Sequence, residues 1–104
     1  MNKYVFSYRG NTEMPADQAA IDEIMAAWGA WFGQLGDAVV DGGNPFGPSS
    51  TVEPDGRVSA GKTADLSGYS IVQAGNLDAA TEMAKGCPVL GGGGRVVVSE
   101  VIEM

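Results

Sequence analysis

The sequence predicts an α+β fold in which a four-stranded antiparallel sheet carries two helices on one face. Three observations predict it. Apolar positions recur at steps of two in four segments and at steps of three and four in two others. Those segments follow one another in the order β-α-β-β-α-β, which right-handed crossovers close into a split βαβ, or ferredoxin-like, sheet. The strands also read as apolar on both faces, and two helices cover only one of them.

The first strand is Lys3–Arg9, where Tyr4, Phe6 and Tyr8 alternate with Val5 and Ser7. The first helix runs from Ala16 to Leu35, with Pro15 suited to its first turn. Ile21, Ile24, Met25, Trp28, Trp31, Phe32 and Leu35 recur at helical spacing, five alanines add propensity, and Asp17, Asp22 and Glu23 sit in the early turns. Gly36 is placed as its C-terminal stop. Gly29 and Gly33 lie inside this helix at an energetic cost. Their missing side chains imply close approach of a neighbouring element, or alternatively room for a ligand beside Trp28 and Phe32.

Asp37–Asp41 reads as a short second strand ended by Gly42-Gly43-Asn44-Pro45. Residues 44–65 are the least regular part, although Val52 and Val58 around Pro54-Asp55-Gly56 suggest a small hairpin. Leu66–Ala74 is the third main strand. Asn76 is a good N-cap for a second helix whose buried side is Leu77, Ala80, Met83 and Ala84, ended by Gly86 and Pro88. After Gly91–Gly94, read as a flexible connection, Arg95–Ile102 is the last strand. Alternation places Tyr4, Phe6, Tyr8, Tyr69 and Ile71 in one apolar set and Val5, Val39, Val72, Val97 and Val101 in another. A homodimer stacking sheet on sheet would hide the uncovered set and leave a pocket between sheet and loop.

The chain has 104 residues, enough for a single domain over 1–104. Six Lys and Arg against thirteen Asp and Glu give a net charge of −7, which argues against nucleic-acid or membrane partners. An RNA-recognition domain of equal topology is disfavoured on the same ground. There is no histidine, so the side chain best suited to acid–base work at neutral pH and to metals is missing. No cofactor and no metal are expected. The single cysteine, Cys87, reads as a small buried hydrophobe rather than a nucleophile. Neither a signal peptide nor a membrane span is visible, so a cytoplasmic protein is expected.

Gly56-Arg57-Val58-Ser59-Ala60-Gly61-Lys62-Thr63 matches the phosphate-binding string G-x-x-x-x-G-K-[ST]. Its surroundings are wrong for that role: a proline-broken polar segment precedes it, and a strand rather than a helix follows. Pro54-Asp55-Gly56 accounts for the first glycine as a turn. Gly91–Gly94 as an anion nest is disfavoured because a strand follows it. Asp37 and Asp41, four apart on one strand, would share a face; solvated capping is favoured over paired acid–base work. Trp28, Trp31 and Phe32 read first as core and second as ligand-stacking groups.

The opening KYVFSYRG, the stretch AIDEIMAAWGAWFGQLGDAVVDGGNPFG, the run DGRV followed by LSGYSIVQAGNLDAATEMAKGCP, and the ending RVVVSEVIEM resemble the YCII-related family, close to the DGPF-domain group. The resemblance spans nearly the whole chain. It implies a dimeric α/β barrel of ferredoxin-like protomers in a bacterial cytoplasm. In some members a His–Asp pair in the dimer cleft is proposed as catalytic; with no histidine here, that half is not carried over. The Asp-Gly-Pro-Phe string is replaced by Ser59-Ala60-Gly61-Lys62-Thr63. The expectation is a homodimer binding a small molecule in a cleft between the sheet and loop 42–50, lined by Trp28, Phe32, Asn44, Phe46 and Tyr69. The alternative is an enzyme using Asp37 as general base in the same cleft, with Tyr69 or Asn44 orienting the substrate.

Overall fold

A computed structural model describes residues 1–10, 17–60 and 66–104. The strands are β1 (Asn2–Arg9), β2 (Val39–Asp41), β3 (Ser50–Val52), β4 (Val58–Ala60), β5 (Leu66–Ala74) and β6 (Arg95–Glu100). The helices are α1 (Gln18–Leu35) and α2 (Leu77–Ala84). Four strands form one antiparallel sheet in the order β2-β5-β1-β6, and β3 and β4 form a separate hairpin. This α+β arrangement is compatible with a ferredoxin-like fold.

The core grows from the period-2 pattern of β1. Tyr4, Phe6 and Tyr8 are buried, and their opposite partners on β5 are Val72, Ser70 and Gly68. Opposite residues share a face. That face is the one both helices cover: Trp31 of α1 and Ala80 and Ala84 of α2 join Tyr4, Phe6, Tyr8, Val72 and Ala74 in a single buried cluster. Trp31 stacks on Phe6 with ring centroids 5.9 Å apart, and its indole N–H donates to the Met83 carbonyl at 3.0 Å. The one polar atom of the largest core side chain on α1 is thereby satisfied.

The register corrects the two apolar sets expected from alternation. Ile71 lies opposite Val5, and Tyr69 opposite Ser7, so both belong to the uncovered face; Val72, with Val39 opposite it, belongs to the helix face. The uncovered face is mixed rather than continuously apolar. Lys3, Ser7 and Arg9 share it with Val5 on β1, Tyr69, Ile71 and Gln73 on β5, and Arg95, Val97 and Ser99 on β6.

Other departures are local. Asp17 is the N-cap of α1, its carboxylate accepting from the Ala19 amide at 3.2 Å, so the helix starts two residues later than periodicity suggested. Residues 11–16, including Pro15, lie outside the described residues. Met25 is 61% exposed and Leu77 is exposed, because each falls at the edge of its helix's buried stripe. Gly36 ends α1 with φ 56° and opens a 3₁₀ turn over Gly36–Ala38, so Asp37 is not on a strand. The strand alternation that would pair it with Asp41 therefore does not apply. β6 ends at Glu100 rather than Ile102. The Gly91–Gly94 run is ordered: Pro88–Gly92 is a 3₁₀ helix, Gly93 is left-handed at φ 85°, and the Gly94 amide donates to the Val89 carbonyl at 3.0 Å. Among the described residues no helix is long and apolar enough to cross a membrane.

The helical glycines Gly29 and Gly33 have nothing within 4 Å of where a Cβ would stand. No neighbour approaches them, contrary to expectation. Gly29→Ala and Gly33→Ala are therefore each predicted to raise stability by roughly 0.5–1 kcal/mol through helix propensity alone. Urea denaturation followed by far-UV circular dichroism checks this, and a loss of stability would reveal a neighbour on that surface. In the opposite direction, Trp31→Ala should cost about 3–5 kcal/mol in the same assay, since it empties the aromatic centre of the core.

Candidate functional site

Loop 42–50 is held against β5 by groups the backbone places exactly where β2 ends. The Asp41 carboxylate accepts from the Gly43 amide at 2.9 Å, which is capping chemistry. Gly43 has φ 74°, and a Cβ there would stand 1.7 Å from the Tyr69 carbonyl oxygen, so only glycine fits. The Tyr69 amide donates to the Asn44 carbonyl, the Phe46 amide donates to the Ser67 carbonyl, and Pro45 bridges Gly68. The start of the loop thus continues β2 along β5 past a register shift.

Beneath the loop runs a buried relay. The Tyr8 hydroxyl donates to Ser70 Oγ at 2.7 Å, and Ser70 Oγ donates to the Gly42 carbonyl at 2.7 Å. Ser70 is wholly enclosed, so both of its bonds matter. Burial pushes the Tyr8 phenol up to about 12, against an opposing pull from Ser70. Burial likewise pushes the Cys87 thiol up to about 11, which agrees with an unreactive core cysteine.

The residues expected to line the cleft are divided by the sheet. Phe46 stacks on Tyr69 with centroids 5.8 Å apart and planes at 22°, and Tyr69 is on the uncovered face. Asn44 lies beside Tyr69 on the loop and is exposed. Trp28 and Phe32 are on the other side, in an aromatic cluster with Tyr8 and Trp31: Trp28 meets Tyr8 edge-on at 5.1 Å, and Phe32 lies 5.1 Å from Trp31. Within one protomer these two are core, not partners of Phe46 and Tyr69. Asp37 is exposed on its 3₁₀ turn, where its carbonyl accepts from the Gln73 side chain at 3.0 Å. A shallow groove of about 360 Å³ lies elsewhere, between Met1–Lys3 and residues 100–103.

The described part of the P-loop-like string is hairpin. Gly56 is left-handed at the turn, and its amide donates to the Glu53 carbonyl at 2.9 Å. The Arg57 amide and guanidinium both engage the Asp55 carboxylate, at 2.9 and 2.7 Å. A carboxylate already occupies the amide that a phosphate would need, and Val58–Ala60 returns as a strand. Gly61, Lys62 and Thr63 lie outside the described residues. Among the described residues no three His, Cys, Asp or Glu side chains gather to hold a metal.

Sequence reasoning missed the neighbours of Tyr69 on the open face. Ser7 stands opposite it, Val5 and Ile71 lie beside it, and Val97 follows one strand further on, with Arg9 and Arg95 at one end of the face and Lys3 at the other. Strand alternation offered the signal, but only register joins alternate sets from different strands. The arrangement provides a flat aromatic pair, aliphatic floor and cationic ends, chemistry for binding a planar polar molecule. No family model matches this chain, and no curated protein matches it.

The raised Tyr8 and Cys87 values each contribute a loss of stability at alkaline pH. Each fold holds the neutral form, so the contribution is complete below the unfolded value and is lost as pH climbs through the folded one. Loss is predicted from pH 9 to about 11 for Cys87 and from pH 10 to about 12 for Tyr8. Thermal melts across pH 8–12 check this. Tyr8→Phe should shrink the upper part of the decline while costing about 1 kcal/mol at pH 8.

Proposed function

We propose that this chain is a small dimeric binding protein of the YCII-related type, holding a small, partly apolar molecule against the open sheet face beside loop 42–50. On this reading two ferredoxin-like protomers face their sheets together as an α/β barrel in the cytoplasm, and Phe46, Tyr69 and Asn44 line the cleft. One observation carries the reading. Both helices cover the same side of the sheet, while the other side, mixed and rimmed by Lys3, Arg9 and Arg95, presents a stacked aromatic pair and aliphatic residues at its centre, with Phe46 44% and Val97 42% exposed. Apolar groups held in that way are usual at interfaces and ligand clefts.

Binding is preferred over catalysis on the position of Asp37, exposed on its turn beside Gln73, which is four residues and roughly 13 Å along β5 from Tyr69 and its aromatic partner. The pinned loop supports the same reading, since Tyr8 and Ser70 hold Gly42, Gly43 packs on Tyr69, and the Phe46 amide donates to the Ser67 carbonyl at 2.9 Å before any ligand arrives.

Light scattering at micromolar concentration is expected to give twice the protomer mass of 10.7 kDa. Ile71→Lys, which places a charge in the middle of the open face, should return the mass to one protomer while far-UV circular dichroism stays unchanged. A monomeric wild-type chain would overturn the assembly. Soaking crystals with a fragment library tests the cleft directly: density is expected on Phe46 and Tyr69, and density confined to the helix face would overturn the assignment.

A further inference from the structure

The chain carries only six basic residues, and the fold does not scatter them. Arg57 is paired with Asp55 on the hairpin and Lys85 with Glu82 on α2, while Lys62 lies outside the described residues. The other three, Lys3, Arg9 and Arg95, all project from the open sheet face. Arg9 and Arg95 stand directly opposite one another on β1 and β6, a like-charge juxtaposition that weakens a sheet unless something negative lies between them. Among the described residues neither makes an ion pair.

The register that creates this pair is locked beside it. Gly10, at φ 115°, and Gly94 bring the strand ends together so closely that a Cβ on Gly10 would stand 2.9 Å from the Gly94 Cα. A Cβ on Gly94 would stand 2.8 Å from the Arg9 carbonyl oxygen. Two residues along β1 from Arg9 is Ser7, whose partner on β5 is Tyr69. Tyr69 therefore stands diagonally from Arg9 at roughly 8 Å, and from Arg95, one strand further away, at roughly 12 Å between Cα atoms. The length of an arginine side chain, with a ligand ring between, covers those distances.

We propose that Arg9 and Arg95 form the anion-recognition end of the cleft, and that its ligand is a small aromatic anion, a carboxylate or phosphate, whose ring lies against Phe46 and Tyr69. The inference rests on the reading that the open face binds a small molecule, and it adds the ligand's charge class. Paired guanidinium groups suit the planar or multidentate oxygens of either anion. A nucleic-acid strand is the poorer occupant, since tracking successive phosphates needs more cations than this face offers on a chain of net charge −7.

Amide chemical-shift titration of the full chain tests it, with phenyl phosphate, benzoate, benzyl alcohol and a short single-stranded RNA as probes. Phenyl phosphate or benzoate is expected to shift residues 7–9, 67–69 and 95–97, and to bind at least about tenfold more tightly than benzyl alcohol. Arg9→Gln and Arg95→Gln should each weaken that binding about tenfold, whereas Arg57→Gln, with the same change of net charge, should alter it by less than about twofold. Circular dichroism confirms that each variant folds. If benzyl alcohol binds the same residues as tightly as the anions, the arginine assignment fails and the cleft stands. Silence of the open face toward every probe overturns both. An equal loss in Arg57→Gln, or tighter binding of the RNA, also overturns the proposal.

Discussion

The structure depends on the alternation of β1. Three aromatic side chains, Tyr4, Phe6 and Tyr8, fall on one face of a central strand, and a sheet that presents them must cover them. Trp31 supplies the cover by stacking on Phe6, and Trp28 closes on Tyr8 edge-to-face. Burial of rings this large gives each helix its seat, since α1 contributes few other buried side chains and α2 contributes mainly alanines. The small residues of α2 let it lie close to the sheet, and its one long apolar neighbour at the core, Met83, returns a carbonyl to Trp31.

The same strand reaches the candidate site. Tyr8 is apolar core through its ring and polar anchor through its hydroxyl, which reaches Ser70 and from there the Gly42 carbonyl. Helix packing and loop position are thus joined through one side chain. Phe46 and Tyr69 lie on the opposite surface, so core aromatics and site aromatics are separated by one layer of backbone. That separation explains why Trp28 and Phe32, similar in kind to Phe46 and Tyr69, are packed by the helices while the latter pair is not.

Much of the fold was legible because it rests on local patterns. The two helices, the capping roles of Asn76 and Gly36, the hairpin at Pro54-Asp55-Gly56 and the four main strands all follow from periodicity and turn chemistry within a few residues. The failures have local causes as well. Asp37 was read into a strand because a 3₁₀ turn has no apolar period of its own, and the glycine run after Pro88 was read as flexible because its hydrogen bonds are to Val89 and Leu90. Of the five residues expected to lie together, Phe46, Asn44 and Tyr69 are neighbours, while Trp28 and Phe32 pack against the core on the other side of the sheet.

By itself the sequence determined which residues of each strand share a face, where α1 stops and α2 begins, and that a histidine-free, acidic chain lacks the usual means of neutral-pH catalysis. Only the tertiary structure decided which face of one strand meets which face of the next. Alternation is a property of a single strand, whereas register is a relation between strands distant in the chain, and a shift of one residue exchanges the two surfaces. For that reason Tyr69 and Ile71 stand away from the helices, and three of the chain's few cations share one side of the sheet. No count of charges along the chain could have shown that gathering, because it is made by hydrogen-bonded pairing between its two ends.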